Sequence, residues 1–179
     1  MDSLGNIFLA SAIARVNYYK TLAEKTFDQL EDRDFHYQPD PQSNSIAIII
    51  QHMSGNMLSR WTGFLTEDGE KTWRSRDKEF NNLDLNRAQL METWENGWNC
   101  FINALQSLKE EDLLKTIHIR TEPLIVVDAI NRQLAHYPHH VGQIVYIGKL
   151  LRGDNWQSLS IAKGKSDDYN RMMSGNQKQ

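Results

Sequence analysis

His136 and His140 stand four residues apart in the stretch Leu134-Ala135-His136-Tyr137-Pro138-His139-His140-Val141-Gly142-Gln143-Ile144. Four residues is about one helical turn, so on a helix both imidazoles leave the same side. Two rings so placed can share one metal ion. His52, in a separate apolar segment, is a third candidate. If the two segments pack side by side, three neutral ring nitrogens can converge on one ion. Three protein ligands leave at least one coordination position open, the arrangement of a working site rather than a purely structural one.

Helical phase separates the histidines. The apolar seam of the stretch is Val127, Ile130, Leu134, Tyr137, Val141, Ile144, Gly148 and Leu151. At about 100° per residue, His136 and His140 lie roughly 80–120° from its centre, on a flank shared with Gln143 and Ile147. His139 points almost opposite the seam and reads as a surface group or as an outer support for the ligands. Pro138 removes a backbone donor and crowds the carbonyl of Leu134, so a kink is expected between the two ligands. His52 shares a stripe with Ile48, Asn56 and Ser59 or Arg60. Asn56 and Arg60, one and two turns further on, could line a pocket and orient an anionic cofactor, since Arg holds carboxylates well. Otherwise they are solvated helix-surface groups. Gln143 could support the ligand flank or contact substrate. No Asp or Glu reads as a clear general base, so no catalytic residue is assigned. His36 and His118 fall in polar or loop contexts.

Four amphipathic helical patterns must position these groups. The first runs from about Ser3 to Leu30 and the second, capped by Ser43 or Asn44, through Ile46 to Phe64. The third spans about Asn86 to Leu108. The fourth carries the histidine pair, with Thr121 as its cap, Pro123 near its first turn and Gly153 at its end. Thr116 to Arg120 alternates polar and apolar, as a short extended piece would. Thr66 to Asn86 is a long polar loop, and loops of that length are often functional. Trp73 and the charged run Arg74 to Glu79 within it could contribute to a partner surface, but read more readily as solvated loop with one packed aromatic. The expected fold is all-α, a four-helix bundle over residues 1–160, with a polar, mobile tail over 161–179. Such bundles commonly hold metal between facing helices.

Composition narrows the function classes. The chain has 179 residues, 40% of them hydrophobic, and a formal net charge of -3. No concentrated Lys/Arg run suggests nucleic acid as a partner. No segment approaches the roughly 18 apolar residues of a membrane span, and the start lacks a signal peptide's basic region. Cys100 is the only cysteine, which rules out an intrachain disulfide. The expected location is the cytoplasm.

The chain resembles the DinB-like (YfiT-like) superfamily of metal-dependent four-helix bundle proteins. The resemblance is carried by Asn44-Ser45-Ile46-Ala47-Ile48-Ile49-Ile50-Gln51-His52-Met53-Ser54-Gly55-Asn56 and by His136-Tyr137-Pro138-His139-His140-Val141-Gly142-Gln143-Ile144. It covers about residues 3–153, and the segment Arg60 to Lys71 places the chain nearest an uncharacterised branch. The resemblance implies His52, His136 and His140 as ligands of a divalent transition metal, Zn, Ni or Fe. It further implies transfer of a low-molecular-weight thiol to a small-molecule electrophile, with metal-dependent hydrolysis as the alternative. A homodimer through the first and fourth helices is also implied. The rival reading is a non-catalytic homodimeric binding protein with structural histidines.

Overall fold

The computed structural model describes residues 3–176. Most of them are helical, and the only sheet among them is a two-stranded hairpin. The order is α1 (Leu4–Phe27), α2 (Ile46–Trp61), α3 (Arg87–Ser107), β1 (Thr116–Ile119), β2 (Glu122–Ile125), α4 (Val126–Arg152) and α5 (Ser166–Asn176), with short helical turns between them. α2 packs on α3 and on α4, and α1 packs on α4 and on α3.

The starts of the helices follow from local chemistry. Ser3 caps α1 by accepting from the Asn6 N–H. Ser45, rather than Ser43 or Asn44, caps α2 by accepting from the Ile48 N–H at 3.3 Å. Asn86 and Gln89 form a reciprocal capping box at the head of α3. Each satisfies N–H groups that have no partner inside the helix.

α4 starts differently from the expectation that Thr121 caps it. Residues 122–125 are a strand paired antiparallel to β1, with Ile119 opposite Glu122 and His118 opposite Pro123. Arg120 and Thr121 form the turn, both at positive φ (57° and 65°). Non-glycine residues rarely adopt that backbone. The Asp68 carboxylate secures it by accepting the N–H groups of Arg120 at 2.9 Å and Thr121 at 2.7 Å. α4 then needs no side-chain cap, because its first N–H groups donate to Lys115 and Leu113 carbonyls at 3.0 Å. The helix continues through Pro138 to Gly153, whose φ of 52° ends it.

The core lies between the four long helices. Trp94, Trp98 and Phe101 of α3 meet Tyr137 of α4 and Trp61 of α2 in a run of edge-on and tilted aromatic contacts. Gly97 lets α3 approach closely: a Cβ there would lie 2.8 Å from the Ser54 Cα of α2. α5 occupies most of the stretch expected as a tail, and its described side chains are exposed.

α2 departs most from simple amphipathicity. Ile46 to Ile50, Met53, Met57 and Trp61 are buried, and so are the polar Gln51, His52, Ser54, Asn56 and Ser59. Ser54 packs on Gly97 of α3 and Asn56 bonds Tyr137 of α4, whereas Gln51, His52 and Ser59 are covered by the segment between α2 and α3, which folds back along them. Gln51 donates to the carbonyls of Glu79 and Asn81, Ser59 donates to Gly69, and Arg60 binds Gly69 and Glu70. The long loop is therefore a belt hydrogen-bonded to one stripe of α2.

Candidate metal centre

α2 presents His52 and α4 presents His136 and His140 to one another. Their ring centroids stand 4.7 to 5.6 Å apart. One nitrogen from each ring falls within 4.8 Å of the others. His136 Nε2 and His140 Nε2 are 3.1 Å apart. Two nitrogens bound tetrahedrally to zinc at about 2.0–2.1 Å stand about 3.3 Å apart, so this pair needs little adjustment. Pro138 does not prevent the convergence.

The other nitrogen of each ring has its own acceptor. His140 Nδ1 faces Gln143 Oε1 at 2.8 Å, and His136 Nδ1 faces Gln133 Oε1 at 3.4 Å. His52 Nδ1 faces Glu79 Oε2 at 3.1 Å. Carbonyl and carboxylate oxygens only accept, so these partners favour the tautomer with the proton on Nδ1 of each ring. Each Nε2 is then left with a lone pair. The arrangement matches the general habit of metal-binding histidines, whose second N–H is held by an outer acceptor.

Electrostatics favour the neutral rings that metal binding needs. Burial, followed by the neighbouring His140 and His52, lowers the His136 pKa to about 4. Burial likewise lowers that of His140. Among the described residues, Glu79 is the only anion hydrogen-bonded to the three rings. Burial pushes its pKa up, but hydrogen bonds from Arg74 and His52 outweigh this and hold it below the ordinary value. Arg74 grips it through two nitrogens at 2.7 and 2.9 Å.

The fit to a divalent metal is good by donor chemistry: three imidazole nitrogens converge, and each ring has an oxygen facing its Nδ1. The remaining sequence candidates fall nearby in different roles. Gln143 holds His140 rather than facing away from it. Asn56 is buried and accepts from the Tyr137 hydroxyl at 3.0 Å, while Tyr137 in turn accepts from Trp61 Nε1 at 3.3 Å. Arg60 pairs with Glu70 at 2.9 Å, at the belt. His139 is exposed and outside the cluster, as its helical phase predicts. His36 binds the Leu85 carbonyl, and His118 lies in β1.

The chain belongs to the family described as Protein of unknown function (DUF1572). That family's model matches residues 3–165, which takes in all three histidines and the belt. No curated protein matches the chain significantly. Within this DUF1572 chain, the reading of Arg74 to Glu79 as solvated loop holds for residues 75–78, which are exposed, and needs correction at its two ends. The Arg74 side chain is 2% exposed and that of Glu79 11%. Trp73 is the exposed member, at 59%. A charged run alone carries no phase for a loop, so nothing in the sequence distinguishes an inward pair from an outward one. The nearest available signal was the length of the loop itself.

Proposed function

We propose that this chain is a metal-dependent enzyme on a DinB-like four-helix bundle, with His52, His136 and His140 as the metal ligands. The reading rests on one observation: one nitrogen from each ring converges, with His136 and His140 meeting through Nε2, while every Nδ1 faces a separate oxygen. A bundle core held together only by packing has no need of such an arrangement. Histidine nitrogens suit zinc, nickel or iron, so the donor set leaves the metal's identity open.

A divalent metal held there supplies a Lewis acid that lowers the pKa of a thiol or water at its open position. The neutral ligands leave the ion most of its charge for that purpose. A thiol held at such a metal would be acidic enough to release its proton to solvent, so no side chain is assigned as its base. We therefore favour transfer of a low-molecular-weight thiol to a small electrophile, with hydrolysis as the other chemistry of the same site. Asn56 and Arg60 are the groups on α2 proposed to contact such a substrate. Their present bonds to Tyr137 and Glu70 would be shared or given up. Self-association through α1 and α4 belongs to the same reading.

The test is metal content after purification without a nickel column. Near-stoichiometric metal, lost in His52→Ala and His140→Ala but kept in His139→Ala, is expected. Protein that is empty and cannot be loaded sinks the proposal. Loaded protein is then assayed with several thiols against one electrophile. Absence of turnover with all of them removes the transferase reading. Sedimentation over a range of concentrations tests the dimer.

A further inference from the structure

The belt segment around Glu79 does more than cover α2. Its helical turn Arg76–Phe80 sits directly on His52. Phe80 stacks on the imidazole, with centroids 4.9 Å apart and planes inclined by 29°. Next to it, the Glu79 carboxylate meets His52 Nδ1 at 3.1 Å. Arg74 clamps the same carboxylate from behind with two nitrogens. Gln51, the neighbour of His52 on α2, ties down the backbone carbonyls of Glu79 and Asn81. Three residues beyond His52, Gly55 leaves the space the carboxylate occupies. A Cβ at Gly55 would stand 2.8 Å from Glu79 Cδ and closer still to Oε1.

We propose that Glu79 is the positioning residue of this centre: a buried, arginine-clamped carboxylate that fixes the tautomer and aim of His52 and makes it the most strongly donating of the three ligands. This rests on the three-histidine reading above. The chemical reason lies in the contrast among the three outer partners. His136 and His140 are held by neutral amide oxygens, which orient a ring without charging it. His52 alone is held by an anion. A carboxylate on Nδ1 draws the ring proton toward itself and enriches Nε2 in electron density. The carboxylate also lies against the ring while the Arg74 charge that balances it sits behind, so the nearer negative end would stabilise a bound dication. Arg74 keeps the carboxylate ionised and stops it from swinging in as a ligand itself. The long α2–α3 connection thus acquires a purpose, since it delivers to His52 a charge that α2 cannot supply from its own stripe.

The experiment has two arms. The first is zinc affinity by competition with a chromophoric chelator, backed by the visible spectrum of the cobalt-loaded protein. The second is the tautomer of His52 in metal-free protein, read from two-bond nitrogen–proton NMR spectra. Glu79→Ala removes both acceptor and charge, and a loss of about ten- to hundredfold in affinity is expected, with a changed cobalt spectrum. His52 should then no longer be held as the Nδ1–H form. Glu79→Ala also strands the buried Arg74, so the paired variant Arg74→Gln with Glu79→Gln is measured beside it. This pair keeps an acceptor for His52 but no charge. It should preserve the tautomer and still bind zinc about tenfold more weakly than the native chain. Gly55→Ala should push the carboxylate off His52 and reproduce the Glu79→Ala result. Unchanged affinity and spectrum in folded Glu79→Ala, or an unchanged His52 tautomer, overturns the proposal. A native chain that binds no metal instead removes the three-histidine reading, and the tautomer arm alone then decides whether Glu79 orients His52.

Discussion

Gln143 Oε1 accepts the Nδ1 proton of His140 at 2.8 Å, three residues along the same face of α4. One helix therefore supplies both a proposed ligand and the group that aims it. Gln143→Ala frees the ring to rotate and to exchange tautomers. Zinc affinity should fall about tenfold, within the usual cost of losing an outer partner. Gln143→Glu keeps the acceptor and adds charge, so it should bind zinc at least as well as the native chain. Chelator competition at one fixed pH checks both variants. Equal affinity in Gln143→Ala would mean that packing alone holds His140.

Acid should destabilise the metal-free protein before its carboxylates begin to titrate. Unfolded, the His136 ring takes its proton near the ordinary value of 6.5; folded, burial and the neighbouring rings delay this to about 4. Between those values the unfolded chain binds more protons, so stability is complete above about 6.5 and falls as pH drops toward 4. His140, also lowered, acts in the same direction. Glu79 is held below its ordinary value of 4.5, so its own loss comes only at lower pH. Urea unfolding in the presence of a chelator should show a loss on the order of 1 kcal/mol between about pH 7 and about pH 5, after allowance for solvent screening. His136→Asn should flatten that slope. An equally steep slope in the variant would assign the effect to other groups.

Helical periodicity made the positions of the long helices legible in the sequence, because each carries a stripe that must be buried. It also set His136 and His140 apart from His139, and the structure agrees in leaving His139 exposed. Periodicity failed where hydrogen bonds rather than apolar spacing decide. The left-handed turn at Arg120 and Thr121 depends on Asp68, more than fifty residues away, so no local signal betrays it. With the turn missed, β2 was absorbed into the head of α4. Glu79 was missed for a related reason. It lies 27 residues from His52 on a segment without regular phase, and only the folded belt brings the two together.

The contact between α2 and α3 should be intolerant of even one methyl group. At Gly97 an added Cβ would stand 2.8 Å from the Ser54 Cα and 3.1 Å from its Cβ. The nearest obstacle is backbone and cannot rotate away, so Gly97→Ala must push the helices apart. A gain in helix propensity of about 1 kcal/mol opposes this, while overpacking of this kind costs about 1–3 kcal/mol. A net loss is expected, seen as a lower urea midpoint with an unchanged slope. Because Ser54 is two residues from His52, weaker zinc binding should accompany it. A more stable Gly97→Ala protein would show that the helices separate freely.

The hydroxyl of Tyr137 is the junction of a buried chain: it accepts from Trp61 Nε1 at 3.3 Å and donates to Asn56 Oδ1 at 3.0 Å. The residue is 1% exposed, and burial pushes the hydroxyl's pKa further above its ordinary value. Tyr137→Phe keeps the ring and its edge-on contacts with Trp98 and Phe101. What it removes is the one partner shared by two buried polar groups. Leaving such groups unpaired costs about 1–3 kcal/mol each, whereas a shape-matched apolar replacement of all three would cost far less. Tyr137→Phe should therefore lower stability by roughly 2 kcal/mol in urea unfolding. Adding Asn56→Leu to it should recover part of that loss, because the stranded amide goes too. A double variant less stable than the sum of the two single changes would mean that Asn56 is held by something other than Tyr137.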